Sequence, residues 1–140
     1  MEKFKFHTLK NIDSPNFLMT PMELKEYIDF EVKRVYFVTH SKTGVSGEHC
    51  HYVEKEFFVL IQGKCTAVID QGNGREDFPM EGPKHGFYAG NYVWHGFKDF
   101  SDDAILLAVT STNYNPDRTD YLEDYDKYLQ IRDEKLKESA

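Results

Sequence analysis

Between Val32 and Thr112 the apolar residues fall in short runs, not at helical spacing. VKRVYFV (Val32–Val38) is β-branched and aromatic. EFFVLIQG (Glu56–Gly63) is an apolar run that stops at glycine, and KCTAVIDQGNG (Lys64–Gly74) alternates before turning at Gly72-Asn73-Gly74. GFYAGNYVWHGF (Gly86–Phe97) and AILLAVTST (Ala104–Thr112) complete the series. Residues of these types fit a pleated, half-buried surface, so each run reads as strand. Short strands broken by Gly, Pro, Asn and Asp predict an all-β sandwich or barrel. The segment MELKEYIDF (Met22–Phe30) fits either a short helix or another strand. After Pro116 the period changes. Tyr121, Leu122, Tyr125, Tyr128, Leu129 and Ile131 recur mostly at intervals of three and four, which predicts a helical tail over residues 118–137. No repeat and no linker interrupts the pattern, so residues 1–140 read as one domain.

Composition narrows the function classes. Hydrophobic residues make up 40% of the 140 and aromatics 15%, enough for a packed core. The formal net charge is -7, from 24 acids against 17 bases. That excludes nucleic-acid binding driven by phosphate neutralisation. An anionic small ligand is still admitted, because it needs only a local cation. No apolar run is long enough to span a bilayer. The opening MEKFKFHTLKNIDSPN lacks the apolar stretch and cleavage site of a secretion leader. The expectation is a soluble, cytoplasmic protein with no membrane partner. Cys50 and Cys65 form no C-x-x-C pair and read as free thiols.

The chemistry concentrates in GEHCHYVEKE (Gly47–Glu56). Strand side chains alternate between faces, so His49 and His51 share a face wherever this segment is extended. A third histidine, His95, follows Trp94. His49, His51, Glu56 and His95 could together ligate a divalent transition metal. Alternatively, Glu56 orients a histidine by hydrogen bonding. His7, His40 and His85 have no such company and read as surface or loop residues.

The spacing His49-x-His51-x4-Glu56-x6-Gly63 resembles the first motif of the cupin superfamily, with His95 where the second motif supplies its histidine. The second segment, GFYAGNYVWH, lacks that motif's usual proline. A narrower resemblance joins VKRVYFV, the His-x-His segment, GFYAGNYVWHGFKDFSDD, TSTNYN and RTDYLEDYDKY. Over Val32–Leu129 the chain is similar to the WxcM-like sugar 3,4-ketoisomerases, with Tyr88-x-Gly90-x-x-x-Trp94-His95 and the Asp/Tyr-rich tail carrying the match. The chain departs from that family at two arginines. Asp13-Ser14-Pro15-Asn16 and Ser46-Gly47 stand where family members tend to have Arg-Gly.

The resemblance implies a cupin jelly-roll barrel, a homodimer, and an isomerase that uses no metal or other cofactor. It implies that the substrate is a thymidine-diphosphate-linked 4-keto-6-deoxy sugar, whose carbonyl moves from C4 to C3 on the route to deoxyamino sugars of surface glycans such as lipopolysaccharide. The family's active-site histidines fall on His49, His51 and His95, and its Arg-Val-Tyr strand on Arg34, Val35 and Tyr36. Such a shift needs a base beside the sugar carbon and preorganised donors for an enediolate. His51 is the expected base and His49 its partner, or the reverse, because spacing does not order them. Tyr36 shares a strand face with Arg34 and is either a further catalytic group or a core aromatic. Arg34 is the expected pyrophosphate contact. Tyr88 and Trp94 are expected against base or sugar, or else in the core. Phe97, two residues past His95, is a candidate lining residue. Two other readings stand beside this one: a metal-dependent cupin using His49, His51, Glu56 and His95, and a cupin that binds a nucleotide sugar without turning it over.

Overall fold

Residues 2–138 are described by the computed structural model. In chain order they form β1 (Phe4–Thr8), β2 (Ile12–Asp13), β3 (Leu18–Met19), β4 (Arg34–Val38), β5 (Ser46–His51), β6 (Glu56–Gln62), β7 (Lys64–Asp70), β8 (Arg75–Glu81), β9 (His85–Ala89), β10 (Trp94–Lys98), β11 (Ile105–Thr110), β12 (Tyr121–Leu122) and one helix, α1 (Tyr125–Lys137). Two five-stranded sheets run β1-β9-β6-β11-β4 and β12-β5-β10-β7-β8, and every pairing is antiparallel. The sheets face each other across a core of alternate residues. Phe58, Leu60, Phe87, Leu106 and Ala108 come from the first sheet; Cys65, Ala67, Ile69, Met80 and Phe97 come from the second. This is the expected jelly-roll barrel.

The structure departs from the expected elements in four places. Gly86–Phe97 is two strands, β9 and β10, separated at Gly90–Val93, because the chain crosses there from one sheet to the other. Strand β8 carries Pro79 and the exposed polar residues Arg75 and Asp77, which hid its inward alternation of Phe78 and Met80. Its place at the end of a sheet is what tolerates the proline. Met22–Phe30 is neither helix nor strand over most of its length, with a 3-10 turn at Leu24–Glu26. The helical tail starts at Tyr125, not at residue 118. Arg118 sits in the left-handed region (φ 56°), and Tyr121 and Leu122 pair with His51 and Cys50 as a short edge strand beside the site. Asp124 then caps the helix, accepting from the Lys127 amide at 3.2 Å.

Helix α1 covers the outer face of the second sheet. Tyr128, fully buried, donates its hydroxyl to the Tyr92 carbonyl at 2.6 Å and packs on Trp94 with Cys50 and Leu122. Asp70, also fully buried, accepts from the Tyr125 hydroxyl at 2.7 Å, the Gly72 amide at 2.8 Å and Arg132 Nη1 at 3.0 Å. No helix among the described residues is long and apolar enough to cross a membrane.

Candidate active site

One end of the barrel opens into a cavity of about 500 Å³, within the range usual for small-molecule sites. His49, His51, Glu56, His95 and Tyr36 stand in it over a floor that includes Phe58 and Phe97, and Arg34, Tyr114, Arg118 and Tyr121 line it as well. The sheet pleat accounts for the convergence. Tyr36 and Arg34 lie on the inward face of β4, Glu56 and Phe58 on that of β6, and His95 and Phe97 on that of β10. His95 pairs with His49, and Phe97 with Ser46. Strand β5 therefore carries one extra residue between those pairs, a bulge beside the histidines. Gly96 permits the close approach, since a Cβ there would sit 3.0 Å from the Glu48 Cα and nearer still to its side chain.

The contacts are short and mostly buried. His49 Nε2 and His51 Nε2 are 3.2 Å apart. His51 Nε2 lies 3.0 Å from Glu56 Oε1 and 3.1 Å from Glu54 Oε2, while its Nδ1 lies 3.2 Å from Asp120 Oδ2. Asp120 is itself anchored, accepting from the Val53 and Glu54 amides. His95 directs Nδ1 at the Val93 carbonyl (2.9 Å) and Nε2 at Glu56 Oε1 (3.0 Å). The other Glu56 oxygen accepts from the Tyr36 hydroxyl at 3.0 Å. Glu56 is thus the hub that joins both histidine strands to Tyr36. Ligand atoms of His49, His51, Glu56 and His95 all lie within 4.8 Å of one another, so the same four could also close around a divalent ion.

Electrostatics separate the two paired histidines. Burial, together with the charges of His95 and His51, pulls His49 down to about 3, so its ring is neutral at physiological pH. Burial also acts to lower His51. The hydrogen bond and charge of Glu56, with the charges of Glu54 and Asp120, outweigh it and raise His51 above its ordinary value. Burial opposes ionisation of Glu56 as well, but His51 and His95 hold it below the usual carboxylate range. Glu54 is raised by burial and by the neighbouring Glu56 charge. Tyr36 is raised by burial and by Glu56, so it keeps its proton and acts as a donor. The arrangement provides a neutral imidazole, a more basic imidazole stabilised by carboxylates, and a phenol donor around one cavity.

Two expected contact residues lie elsewhere. Tyr88 faces outward from β9, in register with Phe57, and donates to Asp29 Oδ1 at 2.8 Å beneath the Met22–Phe30 segment. Trp94 also faces outward, because its neighbour His95 takes the inward face. Its indole donates to Glu48 Oε1 at 2.7 Å under α1. Neither lines the cavity, and both are core residues. Arg34 does line it, and among the described residues no carboxylate lies within ion-pair distance of its guanidinium. His7 and His85 lie on strands β1 and β9, not in loops, and with exposed His40 they stand outside the cavity. Cys50 and Cys65 are free and buried, and burial pushes both thiols up to about 12. Glu54, Asp120, Tyr121 and Arg118 were not singled out from the sequence. The last three fall in a segment whose spacing reads as helix, which concealed that it folds back over the histidines.

The family model described as WxcM-like, C-terminal (FdtA) matches residues 2–133. This chain belongs to the WxcM-like family. Among WxcM-like and related proteins, the TDP-4-oxo-6-deoxy-alpha-D-glucose-3,4-oxoisomerase of Aneurinibacillus thermoaerophilus is 34% identical over 129 residues, 91% of each chain. The crystal structure of a 3,4-ketoisomerase from Helicobacter canadensis superposes with a TM-score of 0.81 at 27% identity, covering 95% of this chain and 99% of that one. A histidine-to-asparagine variant of the 3,4-ketoisomerase from Thermoanaerobacterium thermosaccharolyticum, in complex with TDP-4-keto-6-deoxyglucose, superposes with a TM-score of 0.82 at 26% identity, covering 96% of both chains.

Proposed function

We propose that this WxcM-like chain is a nucleotide-sugar 3,4-ketoisomerase that acts on thymidine-diphosphate-linked 4-keto-6-deoxyglucose in the cytoplasm. The observation that carries the reading is the contact of neutral His49 with carboxylate-flanked His51 inside a sugar-sized cavity. The curated relative and the solved ketoisomerases support the substrate class.

In this reading His51 is the base. A useful general base has a pKa near the working pH, and His49, held at about 3, is too weak. His51 removes the C3 proton, the C3–H electrons form the C3=C4 double bond, and the C4 carbonyl oxygen gains the negative charge. The imidazolium that forms is stabilised by Glu56, Glu54 and Asp120. His49 and Tyr36 donate to the enediolate oxygens and carry the proton from O3 to O4. A proton returned to C4 completes the carbonyl shift, with no net change in protons or electrons. His95 holds Glu56 in place and touches neither carbon.

His51→Asn tests the assignment. The expected result is loss of turnover by at least a hundredfold, the low end for a general base, with the native fold retained by circular dichroism. Full turnover in that variant removes His51 from the mechanism.

We further propose that the chain works as a homodimer. Val35 and Phe37 on the outer face of edge strand β4 are 58% and 67% exposed, and Ile61, Phe17, Leu18 and Met19 add exposed apolar surface. Apolar surface of this kind marks association sites.

A further inference from the structure

Moving a carbonyl from C4 to C3 leaves C4 with a hydrogen and a hydroxyl. The ring face that receives the proton fixes where that hydroxyl points. Where the cavity keeps its proton carriers therefore decides the configuration of the product. This inference rests on the proposed ketoisomerase reading.

The carriers stand on one wall. His49 and His51 project from β5 with their Nε2 atoms 3.2 Å apart. C3 and C4 are bonded neighbours, so a group that reaches one of them from a given face reaches the other from the same face. His51 suits the task, because carboxylates meet both of its nitrogens and stabilise the imidazolium between the two transfers. The other titratable groups inside the cavity are committed. His95 is held at Nδ1 by the Val93 carbonyl and at Nε2 by Glu56. Glu56 engages His51 and His95 with Oε1 and Tyr36 with Oε2. Tyr121 packs on the rings of both paired histidines, at 5.1 and 4.6 Å between centroids, and so belongs to their wall.

The facing wall offers carbon no proton. There the first sheet presents Val38, Phe58 and Leu106 beside Arg34 and Tyr36, and Phe97 and Phe100 extend the apolar lining. The apolar side chains have no exchangeable proton, and a guanidinium is not deprotonated in proteins. The Tyr36 hydroxyl is turned to Glu56, and burial together with that carboxylate keeps its proton in place. Such a phenol hydrogen-bonds an enediolate oxygen well but is a weak acid toward carbon. Tyr114, Arg118 and Glu123 stand exposed at the rim.

In a 4-keto-6-deoxyglucose, H3 is axial on the lower face of the ring. A proton given to C4 on that face leaves the C4 hydroxyl axial, the galacto configuration. Delivery from the upper face leaves it equatorial, the gluco configuration. We infer that the transfer is suprafacial: His51 takes H3 and returns a proton to C4 on the same face, so the product is a 3-keto-6-deoxy sugar of galacto configuration. The electron pair of the C3–H bond becomes the second bond between C3 and C4, and that pair then forms the C4–H bond. The O3 proton passes to O4, so the step needs no oxidant, reductant or co-reactant.

Proton NMR of the full chain with thymidine-diphosphate-4-keto-6-deoxyglucose in ordinary water tests this. The product is read in the first turnovers, before its acidic C4 position epimerises in solution. A small H4–H5 coupling, the signature of an axial hydroxyl, is expected. A large coupling between two axial hydrogens overturns the one-face transfer and leaves the ketoisomerase reading intact. So does a mixture of both configurations from the earliest time. Absence of any 3-keto product overturns that reading and the inference with it. Tyr36→Phe is expected to slow turnover and keep the small coupling. A switch to the large coupling in that variant puts Tyr36 at C4 and overturns the assignment of both transfers to one wall.

Discussion

Replacing Glu56 by glutamine removes one negative charge from beside His51 and keeps the side chain's shape. In the wild type that charge is a principal reason that His51 is more basic than an ordinary histidine, so the base loses its function as pH falls from a point above 6.5. Without the charge, the protonated form of His51 is less favoured and its pKa drops. The acid limb of kcat/KM is therefore expected to move to lower pH in Glu56→Gln, and Glu54 and Asp120 preserve part of the upward shift. A pH-rate profile checks this, and an unmoved limb would detach Glu56 from the base. At this scale the sequence was informative wherever parity applied. Two histidines at i and i+2, and Arg34 with Tyr36, had to share faces, and they do. The same rule excludes Trp94 once His95 is inward, and it excludes Tyr88 once Phe87 packs in the core. Aromatic character alone had suggested ligand contacts for both. The charges around His51 were harder to see, because Glu54 and Asp120 reach it through a turn and a strand pairing that no local pattern encodes.

Helix α1 shows how an element serves a site that it does not line. Strand β12 brings Asp120 and Tyr121 to the histidines, and α1 fixes β12 by docking on the second sheet. Asp70 is the latch. Burial disfavours its charge, but the Tyr125 hydroxyl, the Gly72 amide and Arg132 together hold it below the usual carboxylate range. Asp70→Ala removes a buried acceptor, leaves the Tyr125 hydroxyl without its acceptor and leaves Arg132 with only the exposed Asp133. Such a loss costs about 2 kcal/mol, or roughly 5–10 °C in melting temperature for a domain of this size. Thermal unfolding followed by circular dichroism measures it, and a shift under about 2 °C would mean that α1 docks through its aromatic face alone. The heptad-like spacing of Tyr125, Tyr128 and Leu129 revealed the helix. Its start was not legible, since Tyr121 and Leu122 continue the same spacing while serving as strand. Strand pairing with β5 settles which wins there.

For the whole molecule, the barrel followed from runs of β-branched and aromatic residues, and the site from three histidines. Assembly did not follow from either, because an exposed Val35 and Phe37 on one strand look like ordinary alternation until the sheet order shows β4 at an edge. Light scattering at micromolar concentration is expected to give a dimer for the wild type and a monomer for Phe37→Glu. A monomeric wild type contradicts the dimer. The central claim is the movement of a carbonyl by histidine acid-base chemistry. Proton NMR of the chelator-treated protein with thymidine-diphosphate-4-keto-6-deoxyglucose in deuterated water tests it most directly. The account predicts a 3-keto species that carries deuterium at C4, formed at a rate that removal of metal leaves unchanged. An unaltered 4-keto sugar contradicts the account, as does turnover that stops with the chelator and returns with one divalent metal.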